Sequence, residues 1–305
     1  MTCTSVRHLL AALILAGASA LAPAALRAQQ QPGTGAVPGA GRGPSPAMRQ
    51  AAQYDLDGRF VEARRLLQAA IDSAADPAAR AAARRAMAMS WAFAGDCPNT
   101  VRYEEQVIDY WKTREQAEPQ NAFYQEGEMA DEGARVCIDA GDLAAAERWY
   151  RTGFDLGNRE PGPRTHPASL WDFRLAHALA RIAARRGDRA AAAAQVAAAR
   201  RALDSDSAMA RQQERFFPQL VAYVALYTGD LARARTELER AVALPGNERD
   251  PFLVTLLAMT YEKQGDKTRA EELYRQAYDV AAAHNPPSAY ARRIGREKLN
   301  LKATP

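Results

Sequence analysis

The sequence predicts an all-α fold, a solenoid of antiparallel helix pairs followed by a C-terminal capping helix, and three observations carry that expectation. Alanine supplies 68 of the 305 residues, and it is the side chain that costs least to place in a helix. A glycine followed by a charged residue recurs six times, at Gly58-Arg59, Gly95-Asp96, Gly141-Asp142, Gly187-Asp188, Gly229-Asp230 and Gly265-Asp266. Small residues stand in register with each glycine. Seven positions before it come Ala51, Ala88, Ala134, Ala180, Ala222 and Ala258; five positions after it come Ala63, Thr100, Ala146, Ala192, Ala234 and Ala270.

Taken in order, residues 1–28 read as a secretory signal. Arg7 and His8 precede an apolar run from Leu9 to about Leu26, and small residues place cleavage first after Ala28 and second at the Ala-Leu-Ala of Ala20 to Ala22. The alternative is a retained anchor, because the run approaches the length that spans a bilayer. Residues 29–46, rich in Gln, Gly and Pro, read as a flexible tether. The helical array then occupies residues 47–303, with repeats expected at about 47–77, 78–112, 120–156, 166–203, 208–245 and 250–284. The glycine intervals of 37, 46, 46, 42 and 36 residues call for long first helices in the third and fourth repeats, over Gln120 to Ala140 and Pro167 to Arg186. Pro286-Pro287 breaks the chain, and a capping helix is expected over 288–301 with Ser288 as its N-cap, covering the last apolar face while Arg292, Arg293, Arg296, Glu297 and Lys298 keep it soluble.

Small side chains on facing helices let their backbones approach, and a larger neighbour fills the space beside them. Nine positions past the glycine that larger residue is Leu67, Tyr150, Val196, Leu238 or Tyr274, with Glu104 breaking the column. Glycine between the helices supplies the left-handed conformation that ends the first of them. This grammar, covering roughly Ala47 to Tyr278, resembles the tetratricopeptide repeat family. The resemblance implies a right-handed superhelix that binds proteins or peptides on a concave face lined by the first helix of each pair.

Counting back from the turn glycines puts Arg135, Arg174, His177, Arg181, Arg185, Tyr223 and Tyr227 on that concave face, with Glu128, Asp131, Asp139 and Leu226 among them, and the basic and aromatic members suit an acidic segment of a partner. Arg174, Arg181 and Arg185, at intervals of seven and four, share one helical face. The bland reading of these charges is a solvated helix surface. The Lys and Asn set with which chaperone-binding members clamp a terminal carboxylate has no counterpart. Trp149 and Trp171 are left as core residues or interface anchors, whereas Tyr150 fills a packing column.

Without the signal, 38 basic side chains face 36 acidic ones, a balance that argues against nucleic-acid binding. No Walker-type phosphate loop, nucleophile elbow or His-Glu-x-x-His helix occurs in the sequence. Neither a cofactor nor a metal is expected. Cys97 and Cys137, the two thiols beyond the signal, lie in regions that adjacent repeats stack together; they are a disulfide or two small packing residues. The expectation is a non-catalytic scaffold or adaptor of the cell envelope, periplasmic or secreted. The alternative is a structural subunit of an outer-membrane or secretion assembly.

Overall fold

The computed structural model describes residues 44–302; the expected signal and most of the tether lie outside the described residues. Six helix pairs follow one another. They are α1 (Pro46–Asp57) with α2 (Phe60–Asp72), α3 (Pro77–Phe93) with α4 (Cys97–Lys112), and α5 (Pro119–Ala140) with α6 (Leu143–Gly157). Next come α7 (Ala168–Arg185) with α8 (Arg189–Ser205) and a short α9 (Ser207–Gln213). The last are α10 (Phe217–Thr228) with α11 (Leu231–Val242), α12 (Pro251–Gln264) with α13 (Lys267–Val280), and a single α14 (Pro286–Leu299). Each pair packs on the next, so the chain is an all-α solenoid with no strand among the described residues.

The turn chemistry explains the repeated dipeptide. Gly58, Gly95, Gly141, Gly187, Gly229 and Gly265 all have φ between 75° and 92°, a region open to glycine and strained for other residues. The aspartate that follows five of them caps the second helix. Asp96, Asp142, Asp188, Asp230 and Asp266 each accept a hydrogen bond from the amide three residues on, satisfying a donor that the helix itself cannot. In the first pair Arg59 replaces the aspartate and instead pairs with Glu62 at 3.0 Å.

Both small-residue columns are buried throughout, and Leu67, Tyr150, Leu238 and Tyr274 are buried beside them. Glu104, the exception in the large-residue column, is buried too. Burial and the neighbouring Glu132 push its carboxyl well above the usual carboxylate range, against the pull of Arg85, which favours the neutral form in this packing position.

Trp171 is wholly buried and is a core residue, not an interface anchor. It fills space that Gly127 and Gly157 leave open. A Cβ on Gly127 would meet Trp171 Cη2 at 2.4 Å and the Gly153 carbonyl oxygen at 2.9 Å. In an exposed helix interior, alanine for glycine stabilises by about 1 kcal/mol; here the clash reverses the sign. Gly127→Ala is expected to destabilise by about 1–3 kcal/mol, seen as a lower midpoint in denaturant unfolding. An unchanged or higher midpoint would contradict this packing.

Two sequence expectations need correction. Pro218, which the sequence places near the start of the fifth repeat's first helix, does stand in the first turn of α10. That repeat, expected over about 208–245, nevertheless carries an extra α9 and a 3-10 turn over Glu214–Phe216 ahead of its first helix. Asp206 causes this, because its carboxylate accepts from the Ala208 and Met209 amides and starts a new helix at the end of α8. The capping helix begins at Pro286, and its N-cap is Asn285, whose side chain accepts from the Ser288 amide. Proline in the first turn is tolerated because its missing donor would have no intrahelical partner.

The course of α14 matters most. It packs on α12 and α13 and also on α3 and α5, bringing the sixth pair against the early repeats. Tyr290 stacks obliquely on Phe252, with centroids 5.2 Å apart, and its hydroxyl meets Met259 Sδ at 3.3 Å. Arg293 donates to the Asp139 carbonyl at 2.8 Å, and Arg296 donates to the Asp55 and Leu56 carbonyls beside Gly58. His284, just ahead of α14, stacks on Phe93 and bonds the buried Asp55 at 2.8 Å. The charges on this helix therefore join it to α1 and α5; they are not merely a soluble outer surface.

Candidate functional site

The inner surface of α5 carries an uncommon density of buried polar groups: Gln125, Glu126, Glu128, Asp131 and Glu132. Ionised groups in such a place need partners. Arg85 of α3 pairs with Glu132 at 2.7 Å. Arg174 of α7 pairs with Glu128 and donates to the Tyr124 hydroxyl at 3.3 Å. Lower on α7, Arg181 reaches the Tyr150 hydroxyl at 3.5 Å and lies 5.0 Å from the centroid of the Tyr223 ring. Arg185 donates to the Tyr223 hydroxyl at 3.4 Å and covers the Tyr227 ring at 4.8 Å.

These groups border a cavity of about 70 Å³, with Asp131, Arg135 and Arg181 on its polar side and Phe173, Phe216 and Phe252 among its apolar walls. The expectation that Arg135, Arg174, His177, Arg181, Arg185, Tyr223 and Tyr227 present an open surface to an acidic partner segment is therefore not met. Arg181 is 4% exposed and Tyr223 1%; the other five are part-buried. Their cationic and aromatic groups are engaged by one another and by the carboxylates of α5. The long α5 brings those carboxylates alongside α7, and α14, seated on α3, α5 and α12, covers the inner face.

Burial sets the protonation states here. His177 is held well below its ordinary range by burial and by Arg181 and Arg135, against a hydrogen bond to the Phe216 backbone. Asp131 is pushed up to about 8 by burial, although Arg174 and Arg135 pull it down. Folded, Asp131 thus keeps its proton over a range in which the unfolded chain loses it. Its contribution to stability falls as pH rises from about 4 to about 8, by at most about 1.4 kcal/mol per unit. Asp131→Asn removes that slope: the variant is expected to gain stability over the parent at pH 8 relative to pH 4.5 in paired urea titrations. Equal differences at the two pH values would contradict the assignment.

Cys97, the first residue of α4, and Cys137 of α5 are joined by a disulfide with their Cα atoms 4.7 Å apart, tying the second pair to the third. Among the described residues, no group of three or more His, Cys, Asp and Glu side chains is placed to hold a metal ion. No helix among them is long and apolar enough to cross a membrane. The sequence places Glu128 and Asp131 of α5 on the inner face; what it does not show is the cavity itself and the burial of Gln125, Glu126 and Glu132 beside them. The signal was present as Gln125, Glu126, Glu128, Asp131 and Glu132 crowded into a helix whose alanine column demands burial.

Comparison with known proteins gives a limited but specific result. No curated protein matches the chain. Among solved structures, two crystal structures of kinesin light chain nearly identical TPR-like repeats from Podosopora anserina match. Each is 17% identical, with 77% of this chain and 93% of the other covered, at a TM-score of 0.32. Comparison with protein families matches residues 253–284 to the tetratricopeptide repeat. This is the pair α12 and α13, whose two helices of 14 residues each fit the compact repeat better than the 22-residue α5. Residues 253–284 are thus a tetratricopeptide repeat, the sixth helix pair of the solenoid.

Proposed function

We propose that the chain is a non-catalytic protein- or peptide-binding scaffold of the cell envelope, exported by the signal at residues 1–28, and that all six helix pairs are tetratricopeptide units. The observation that carries this reading is the shared grammar. The left-handed glycine and the buried alanine seven residues before it recur in every pair, including the one that matches the family. Arrays of this kind serve partners through extended surfaces and not through a reaction centre. With α14 seated on the inner face, partner contact falls to the outer helices α2, α4, α6, α8, α11 and α13, whose exposed positions mix charged residues with the alanines of α8 and Val61 of α2.

Affinity capture from envelope extract with the mature protein tests the binding role, and intact-mass measurement of the native protein tests export. A protein or peptide retained by the array through washes at physiological salt, and a mass lacking Met1 to Ala28, are expected. Recovery of the array alone would remove the scaffold role. Met1 retained with the inner membrane would remove the cleaved, exported form.

A further inference from the structure

We propose that the inner cavity binds a small zwitterionic amino acid, its carboxylate held by Arg181 and its ammonium by Asp131.

The first ground is an unmatched cation. Arg181 is 96% buried by the measure of its 4% exposure, and among the described residues no carboxylate lies within ion-pair distance of it. Its Nη1 reaches the Tyr150 hydroxyl and Tyr223 lies beside it, Asp139 acts on it only from beyond ion-pair distance, and its Nε and Nη2 have no hydrogen-bond partner. A guanidinium left in this condition is costly, and its planar fork suits a carboxylate. The neighbouring cations differ, since Arg174 has Glu128 and Arg85 has Glu132.

The second ground is a buried acid bordering the same space, which Arg174 and Arg135 act on without forming a direct ion pair. Asp131 lines the cavity, is 8% exposed, and makes no ion pair among the described residues, whereas Glu128 and Glu132 on the same helix each have an arginine. Its Oδ1 lies against Gly153, where a larger residue would displace it. In the free protein Asp131 holds its proton at pH 7, and an ammonium beside it adds to the pull of Arg174 and Arg135, so that the acid ionises on binding and releases its proton to solvent. Two unpaired acceptors, His177 Nε2 and Gln213 Oε1, also line the cavity and can take the remaining ammonium protons.

Size and wall chemistry narrow the ligand. The cavity of about 70 Å³ is several times the roughly 10–15 Å³ that a single water needs, so it admits a ligand of a few non-hydrogen atoms, such as glycine or alanine. Phe173, Phe216 and Phe252 favour a short aliphatic side chain over a polar one. Arg135, Arg174 and His177 keep partial exposure, so the cavity is not sealed.

Calorimetric titration of the full mature chain at pH 7 and fixed ionic strength, with L-alanine, propionate and ethylammonium as probes, decides the matter. L-Alanine is expected to bind at least tenfold more tightly than either half-ligand, a difference of about 1.4 kcal/mol. Arg181→Met, which exchanges a buried unpaired charge for an apolar chain of similar length, is expected to remain folded and to lose binding of L-alanine and propionate together. Asp131→Asn is expected to weaken L-alanine at least tenfold and leave propionate unweakened. Absence of L-alanine binding at 10 mM, on the order of the weakest affinities of interest, would overturn the proposal. So would propionate binding as tightly as L-alanine, or unchanged alanine binding by either variant. Should Arg181→Met fail to fold, the comparison of probes on the parent protein still decides. None of these outcomes depends on whether the outer face binds a protein.

Discussion

A chain lacking residues 284–305 is expected to melt about 10 °C or more below the full-length protein and to bind an apolar dye that the full-length protein ignores. Removing α14 strips Tyr290 from Phe252 and Met259, and burial of one such side chain is worth about 1.5–3 kcal/mol. Ala289 and Ala291 lose their burial with it. The cut also leaves polar groups behind. Asp55, wholly buried, keeps Ser90 at 2.8 Å but loses His284, and the Asp139 carbonyl loses Arg293. A buried acceptor deprived of its partner costs a further 1–3 kcal/mol or so. For a domain of this size each kcal/mol lowers the melting temperature by about 2–4 °C. Differential scanning calorimetry with dye binding in parallel measures both effects. Unchanged melting without dye uptake would mean that α14 is not docked on the inner face.

That helix also marks where the sequence stops being informative. The repeat is legible because its causes are local. A glycine and the aspartate after it settle the turn and cap within a few residues, and an alanine seven positions earlier settles the close approach. The helical interval likewise puts Arg174, Arg181 and Arg185 along one face of α7. Whether that face is open is a different question, decided by contacts at sequence separations of 154, 229 and 241 residues. No periodic pattern encodes such contacts. Arg292, Arg293 and Arg296 read as a solvated terminal helix, since a basic run usually is one, yet in the structure Arg293 and Arg296 donate to carbonyls of helix ends that need donors. The cavity fails to show for the same reason. It requires α5, α6, α7, α9 with the 3-10 turn, α10, α12 and the start of α14 together, and none of those helices read alone shows it.

The disulfide joins these two levels, and its removal should have the second large effect. Cys97→Ser with Cys137→Ser is expected to lower stability by up to about 4 kcal/mol, the chain-entropy value for a loop of 40 residues. Reductant should lower the stability of the parent protein by a similar amount and leave the variant unaffected. The loss should also couple to α14. Gly95, two residues before Cys97, lies against the Arg293 side chain, and Asp139, two residues after Cys137, accepts the Arg293 hydrogen bond. The bond therefore holds in register the two backbone segments that receive one arginine. In a cycle combining Arg293→Ala with the cysteine pair, the losses should be non-additive by about 0.5–3 kcal/mol, as for residues sharing a network. Strict additivity would show that the disulfide and the α14 contact act independently. Two titratable thiols in protein purified without reductant and then unfolded would show that the bond does not form, and an oxidising compartment would then have no part in stabilising this fold.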